Sequence, residues 1–145
     1  IATGMKASLE SLANFIGFVV WADGEYDEAE KEAVVEIAET FGLNQLKFNI
    51  AVEVAINRIL RMDEKEVNEF LHKAADDIDD VEIGQVYESA MQVAIADGVL
   101  TRGEVNNLLA IADALGIDTD MACLLLCDMV KTEAELEIDT EEDEE

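Results

Sequence analysis

A chain of 145 residues, half of them apolar, is long enough to bury one sizeable core. Its formal charge of -26 sets it against nucleic-acid phosphates and anionic lipid surfaces, and directs it toward cations, basic proteins or basic patches on larger assemblies. No proline interrupts the chain, no stretch reads as a signal peptide, and the longest apolar runs are too short to cross a bilayer. The first residue is Ile, as in a processed or tagged chain or a fragment. Only Cys123 and Cys127 carry thiols, four apart in one helical segment, which argues for a reducing cytoplasm rather than a disulfide framework.

Helical periodicity predicts seven helices and no strand. The first runs from about Lys6 to Ala22 with Leu9, Leu12, Phe15, Ile16, Val19 and Val20 on one stripe. The second, about Glu28 to Phe41, stops at Gly42. A third, about Gln45 to Arg61, is apolar around much of its circumference and is expected at the centre. The fourth is short and follows Asp63, which forms a capping-box pattern with Glu66; its inward face is Val67, Phe70, Leu71 and Ala74. The fifth, sixth and seventh span about Val81 to Ala96, Arg102 to Leu115, and Asp120 to Lys131. Residues 133–145 hold nine acidic side chains and no basic one, so self-repulsion predicts a solvated, disordered tail.

Laid over residues 19–43 at an offset of 74, residues 93–117 repeat Val, Ala-Asp-Gly, Glu, Ile-Ala and Gly at the same places. The chain therefore reads as an internal duplication: helix, Asp-Gly loop, helix, Gly stop, helix, written twice around one extra helix. Two readings of the loop stand side by side. Turn and cap chemistry accounts for Gly24 and Gly98, which can take positive φ, and for Asp27 with Glu30 and Thr101 with Glu104 as reciprocal capping boxes. It does not account for the Asp before each Gly, nor for four carboxylates, Asp23, Glu25, Asp27 and Glu30, within eight residues. Hard cations such as calcium take oxygens from such loops. An EF-hand does not fit. From Asp23, Glu28 stands where the Gly is needed and Val34 where the bidentate Glu is needed; from Asp97 those places hold Arg102 and Leu108. The stretch "DDIDDVEIGQVYE" from Asp76 also lacks that Gly.

"WADGEYDEAEKEAVVEIAETFGL" and "AIADGVLTRGEVNNLLAIADALGID" resemble the TerB-like family, named for the tellurite-resistance protein TerB. "EKEVNEFLHKAADDIDD" resembles the segment that links the family's two halves, and the likeness runs from about Leu9 to Val130. The resemblance implies one all-α bundle over 1–132, with halves at about 8–62 and 81–131 and a linking helix at 63–76. It implies a non-enzymatic protein of bacterial or phage stress responses. Such a protein binds protein partners in a membrane-associated complex, in the cytoplasm or peripheral to the inner membrane through a partner. Asp23, Asp27, Glu30, Asp97 and Glu104 match the family's acidic cluster, which would hold a divalent cation, calcium first. Thr101-Arg102-Gly103 departs from the family's more acidic second loop.

The rival functional classes are a DNA-mimic inhibitor, a simple calcium buffer and a hydrolase. The duplicated loop gives the first no support, and the EF-hand mismatch weakens the second. A single His with no nucleophile set weakens the third. Cys123 and Cys127 are expected as buried small hydrophobes, Trp21 as packing material, and His72 as an exposed helix residue. Arg58, Arg61 and Lys65 are expected to pair with acidic neighbours.

Overall fold

Local hydrogen-bond chemistry sets the helix ends. A computed structural model describes residues 4–24, 26–96, 98–132 and 137–139. Its helices are α1 (Gly4–Asp23), α2 (Glu28–Phe41), α3 (Gln45–Ile59), α4 (Glu64–Asp76), α5 (Ile83–Ala94), α6 (Arg102–Leu115) and α7 (Thr119–Thr132), with a single 3-10 turn at Asp80–Glu82 leading into α5. Asp63 begins α4 as its sequence pattern predicts: its Oδ1 accepts from the Glu66 N–H at 2.8 Å, and Glu66 Oε1 accepts from the Asp63 N–H at 3.0 Å. α2 and α6 both stop at a left-handed glycine, Gly42 and Gly116. The next N–H reaches back five residues, Leu43 to the Ala38 carbonyl and Ile117 to the Ala112 carbonyl, each at 2.8 Å. Leu43 and Ile117 then pack on the core, which turns the chain into the following helix.

The described chain is all-α with seven α-helices, and the central one is α1, not α3. Every residue from Leu12 to Val20 except Asn14 and Gly17 is a buried hydrophobic, and α1 packs against α3, α4, α5 and α6. The expectation of a central α3 is corrected. One face of α3 (Phe48, Val52, Ala55, Ile59) is buried, while Leu46, Ile50 and Val54 on the opposite face are 70%, 51% and 45% exposed. Charge explains the difference. Residues 11–22 carry no charged side chain, whereas α3 carries Lys47, Glu53 and Arg58, which keep that side in water.

α1 and α3 form the most extensive helix pair, and Gly17 is what lets them close. A Cβ at Gly17 would lie 2.7 Å from the Ala55 Cβ, 3.3 Å from the Val52 carbonyl oxygen and 3.4 Å from the Ile56 nitrogen. The two backbones therefore approach through the one position that has no side chain.

Two three-residue strands depart from the sequence expectation of no strand. β1 (Val99–Thr101) pairs in parallel with β2 (Glu137–Asp139), with Leu100 opposite Ile138. Residues 137–139 belong to the segment expected as a solvated tail; for these three the expectation does not hold. Apolar Leu136 and Ile138 alternate with acids in that stretch, the period of a strand, and β1 leaves a backbone edge beside α6 for it to pair with. The other tail residues, 133–136 and 140–145, lie outside the described residues.

Candidate functional site: two capped Asp-Gly loops

Each loop turns on a glycine in left-handed space, Gly24 directly after α1 and Gly98 four residues past the last residue of α5. Gly24 has φ 97° and Gly98 has φ 85°, as the turn reading requires. The Gly24 N–H donates to the carbonyls of Val20 (3.2 Å) and Trp21 (3.1 Å), and the Gly98 N–H to that of Ile95 (2.8 Å). A bulky side chain two residues later then anchors the loop. In the first loop half-buried Tyr26 donates its hydroxyl to Asn49 Oδ1 on α3 at 2.7 Å, and the Lys31 ammonium lies 5.5 Å from its ring centroid. Burial, followed by the Glu53 and Glu30 carboxylates, pushes the Tyr26 phenol well above its ordinary range, so it stays a donor at physiological pH. In the second loop the equivalent anchor is apolar, the buried side chain of Leu100.

Both loops finish as reciprocal capping boxes. Asp27, in extended conformation, accepts from the Glu30 N–H at 2.9 Å, and Glu30 Oε1 accepts from the Asp27 N–H at 3.1 Å. Thr101 Oγ1 accepts from the Glu104 N–H at 3.1 Å, and Glu104 Oε1 accepts from the Thr101 N–H at 3.0 Å. The two glutamates are the only buried charged residues of the described chain, 2% and 7% exposed. A carboxylate is costly to bury unless it is hydrogen-bonded; here each sits at a helix N-terminus, where backbone N–H groups and the helix dipole favour negative charge.

Of the five expected ligands the structure brings together Asp27 with Glu30, and places Glu104 in the matching position of the other loop. The Asp23 side chain, Glu25 and Asp97 lie outside the described residues. Among the described residues no group of three His, Cys, Asp or Glu stands close enough to hold a metal ion. The capping bonds engage one oxygen each of Asp27, Glu30 and Glu104.

Several side chains outside the loops fall where the sequence places them, and two do not. Trp21 is half-buried and stacks on Phe18 with centroids 5.8 Å apart. His72 is exposed, its Nδ1 2.9 Å from the Asn68 carbonyl and its Nε2 3.8 Å from Asp113. Arg58 lies 3.9 Å from Glu10, an exposed and loosely held pair. Cys123 and Cys127 are exposed, which corrects the expectation of buried thiols. The inward face of α7 is set by Ala122 and Leu126, and each cysteine stands one residue further on, about 100° around the helix.

The Tyr26–Asn49 bond, which ties the first loop to α3, is not foreshadowed in the sequence beyond the presence of a bulky residue at position 26. Sequence reasoning also missed a groove between α2, α5 and α7, walled by Glu32, Glu36, Glu88 and Asp128. Its walls come from three separated segments, so no local pattern marks it.

The fold and loops define an all-α domain; among the described residues no helix is long and apolar enough to cross a bilayer. A family model described as tellurite resistance protein TerB matches residues 9–123, and the chain belongs to that family. Neither a curated protein nor a solved structure matches closely enough to add to this.

Proposed function

We propose that this protein works as a non-enzymatic tellurite-resistance-type stress protein, a cytoplasmic module that binds protein partners and takes up a divalent cation, calcium first, at its Asp-Gly loops. The observation that carries the cation reading is the pair of buried glutamates, Glu30 and Glu104. Each is fixed by a capping box in a loop that opens with Asp-Gly. In the first loop Asp23, Glu25 and Asp27 crowd the same short stretch, and a cation would relieve their mutual repulsion.

Binding to the native state alone raises stability by RT ln(1 + [L]/Kd), about 2.7 kcal/mol at a hundredfold excess of ligand over Kd. Thermal melts in millimolar calcium against ionic-strength-matched sodium chloride read this directly, with Trp21 fluorescence as a local reporter two residues from Asp23. Asp23→Asn should abolish the calcium response with little change in metal-free stability, and Asp97→Asn should matter less, because its loop has fewer carboxylates. No response to calcium, magnesium or manganese above the salt control removes the cation and leaves the loops as caps. The partner-binding part is tested separately, by restoring tellurite tolerance to a host that lacks its own TerB.

A further inference from the structure

Away from both loops, a groove of about 590 Å³ lies between α2, α5 and α7. Its floor is apolar: Met91 is fully buried, and half-buried Ile95, Leu125 and Met129 pack on the core around it. Its walls are acidic, with Glu32 and Glu36 from α2, Glu88 from α5 and Asp128 from α7, all exposed; no Lys or Arg lines it. The Gln92 amide donates to Glu36 at 2.9 Å and ties the α5 wall to the α2 wall.

Two small residues of the first half stand in the sequence where the second half has large ones. At the offset that aligns the two loops, Gly17 and Ala55 correspond to Met91 and Met129. The small pair brings α1 and α3 into close contact, whereas both methionines line the groove, and the main helix neighbour of α7 is α6.

The chemistry of the groove selects an occupant. Half-buried Ile95, just past the end of α5, and Leu125 with Met129, one turn apart on α7, give the floor its accessible apolar side chains, and that one-turn spacing is the one at which an amphipathic helix presents its own apolar stripe. Methionine suits such a floor because its unbranched side chain repacks around differently shaped partners. Acids on each wall complement Lys and Arg flanking that stripe, and the charge of -26 steers basic chains toward the surface. Nucleic acid and anionic lipid are repelled by the same walls.

We propose that this groove docks a basic amphipathic helix of a partner protein. The proposal names a site and a partner class for the partner-binding reading above, on which it rests. The probe is a synthetic leucine/lysine peptide with leucines at helical spacing, compared with a scrambled peptide of the same composition. Binding is followed by fluorescence anisotropy at physiological salt and by amide shift mapping on the full chain. The spaced peptide should bind and shift resonances of α2, α5 and α7. Glu32→Lys with Glu88→Lys should weaken it at least about tenfold. The equal charge change Glu69→Lys with Asp76→Lys, on α4, should weaken it less than about twofold. All four positions are exposed, and circular dichroism checks that each variant folds. Equal weakening by the two double variants, equal binding of the scrambled peptide, or shifts confined to other helices would overturn the groove. A native complex that survives Glu32→Lys with Glu88→Lys also overturns it while leaving partner binding intact. Loss of the peptide in that variant with tellurite tolerance unchanged upholds the groove and removes the partner reading from the resistance function.

Discussion

Gly17→Ala sets two effects of opposite sign against each other. In a helix interior Ala is favoured over Gly by about 1 kcal/mol, so propensity alone predicts a more stable protein. Packing predicts the reverse. The new Cβ would stand 2.7 Å from the Ala55 Cβ, where non-bonded carbons ordinarily sit about 3.5–4.0 Å apart. Neither atom can escape by rotation, because both are attached directly to helix backbones. The next neighbours, the Val52 carbonyl at 3.3 Å and the Ile56 nitrogen at 3.4 Å, are themselves backbone. Relief requires α1 and α3 to separate by about 1 Å along their main interface, and overpacking of this kind costs about 1–3 kcal/mol. The net expectation is a loss of up to about 2 kcal/mol, seen in urea denaturation as a lower midpoint at unchanged slope. Gly84→Ala is the control: it lies in the first turn of α5 with nothing within 4 Å of its Cβ, and should be neutral or stabilising by a few tenths of a kcal/mol. Adding Ala55→Gly to Gly17→Ala should recover part of the loss, a coupling of about 1 kcal/mol in a double-mutant cycle. A Gly17→Ala protein stabilised by the full propensity gain of about 1 kcal/mol, or no coupling to Ala55, would refute the close-approach argument.

The buried Tyr87 hydroxyl has no hydrogen-bond partner among the described residues, so Tyr87→Phe should be neutral or stabilise by about 1 kcal/mol in the same assay; a clear loss would reveal a partner for the hydroxyl. Burial, followed by Cys123, raises the Tyr87 phenol from 10.0 to about 12. The folded state therefore holds this proton more tightly than the unfolded chain, and stability falls as pH rises from about 10 to 12; Tyr87→Phe should flatten part of that fall. Cys123 and Cys127 should react with a thiol reagent in the native protein nearly as fast as after unfolding, and a large protection factor would contradict their exposure. Truncation after Thr132 should speed amide exchange at β1, which loses its partner strand. It should not lower the helical melting temperature at low salt, since nine like charges leave with the tail; a marked fall would mean that the tail holds more than this ladder.

What could be read from the residues alone was whatever depends on neighbours within about a turn of chain. The second and sixth helices begin and end where their sequence signals place them, because Asp27 with Glu30 and Thr101 with Glu104 close hydrogen bonds three residues apart, and Gly42 and Gly116 release the chain one residue past each end. Positive φ at Gly24 and Gly98 followed from the same local chemistry. Hydrophobic pattern also supplied the inward faces of α1 and α4. It failed for α3, whose apolar residues occupy two opposite faces, because periodicity records that a side chain is apolar and not whether a neighbour arrives to cover it. For the same reason Cys123 and Cys127 looked like core in an apolar run, while α7 turned Ala122 and Leu126 inward instead. Tertiary structure alone decided which helices approach closely, through Gly17 and Ala55, and which stand apart around Met91 and Met129. It also decided that the carboxylates of Glu32, Glu36, Glu88 and Asp128, scattered over nearly a hundred residues of chain, face one apolar floor. Those outcomes depend on packing between segments distant in sequence, where the energy lies in shape and contact and leaves no mark on local spacing.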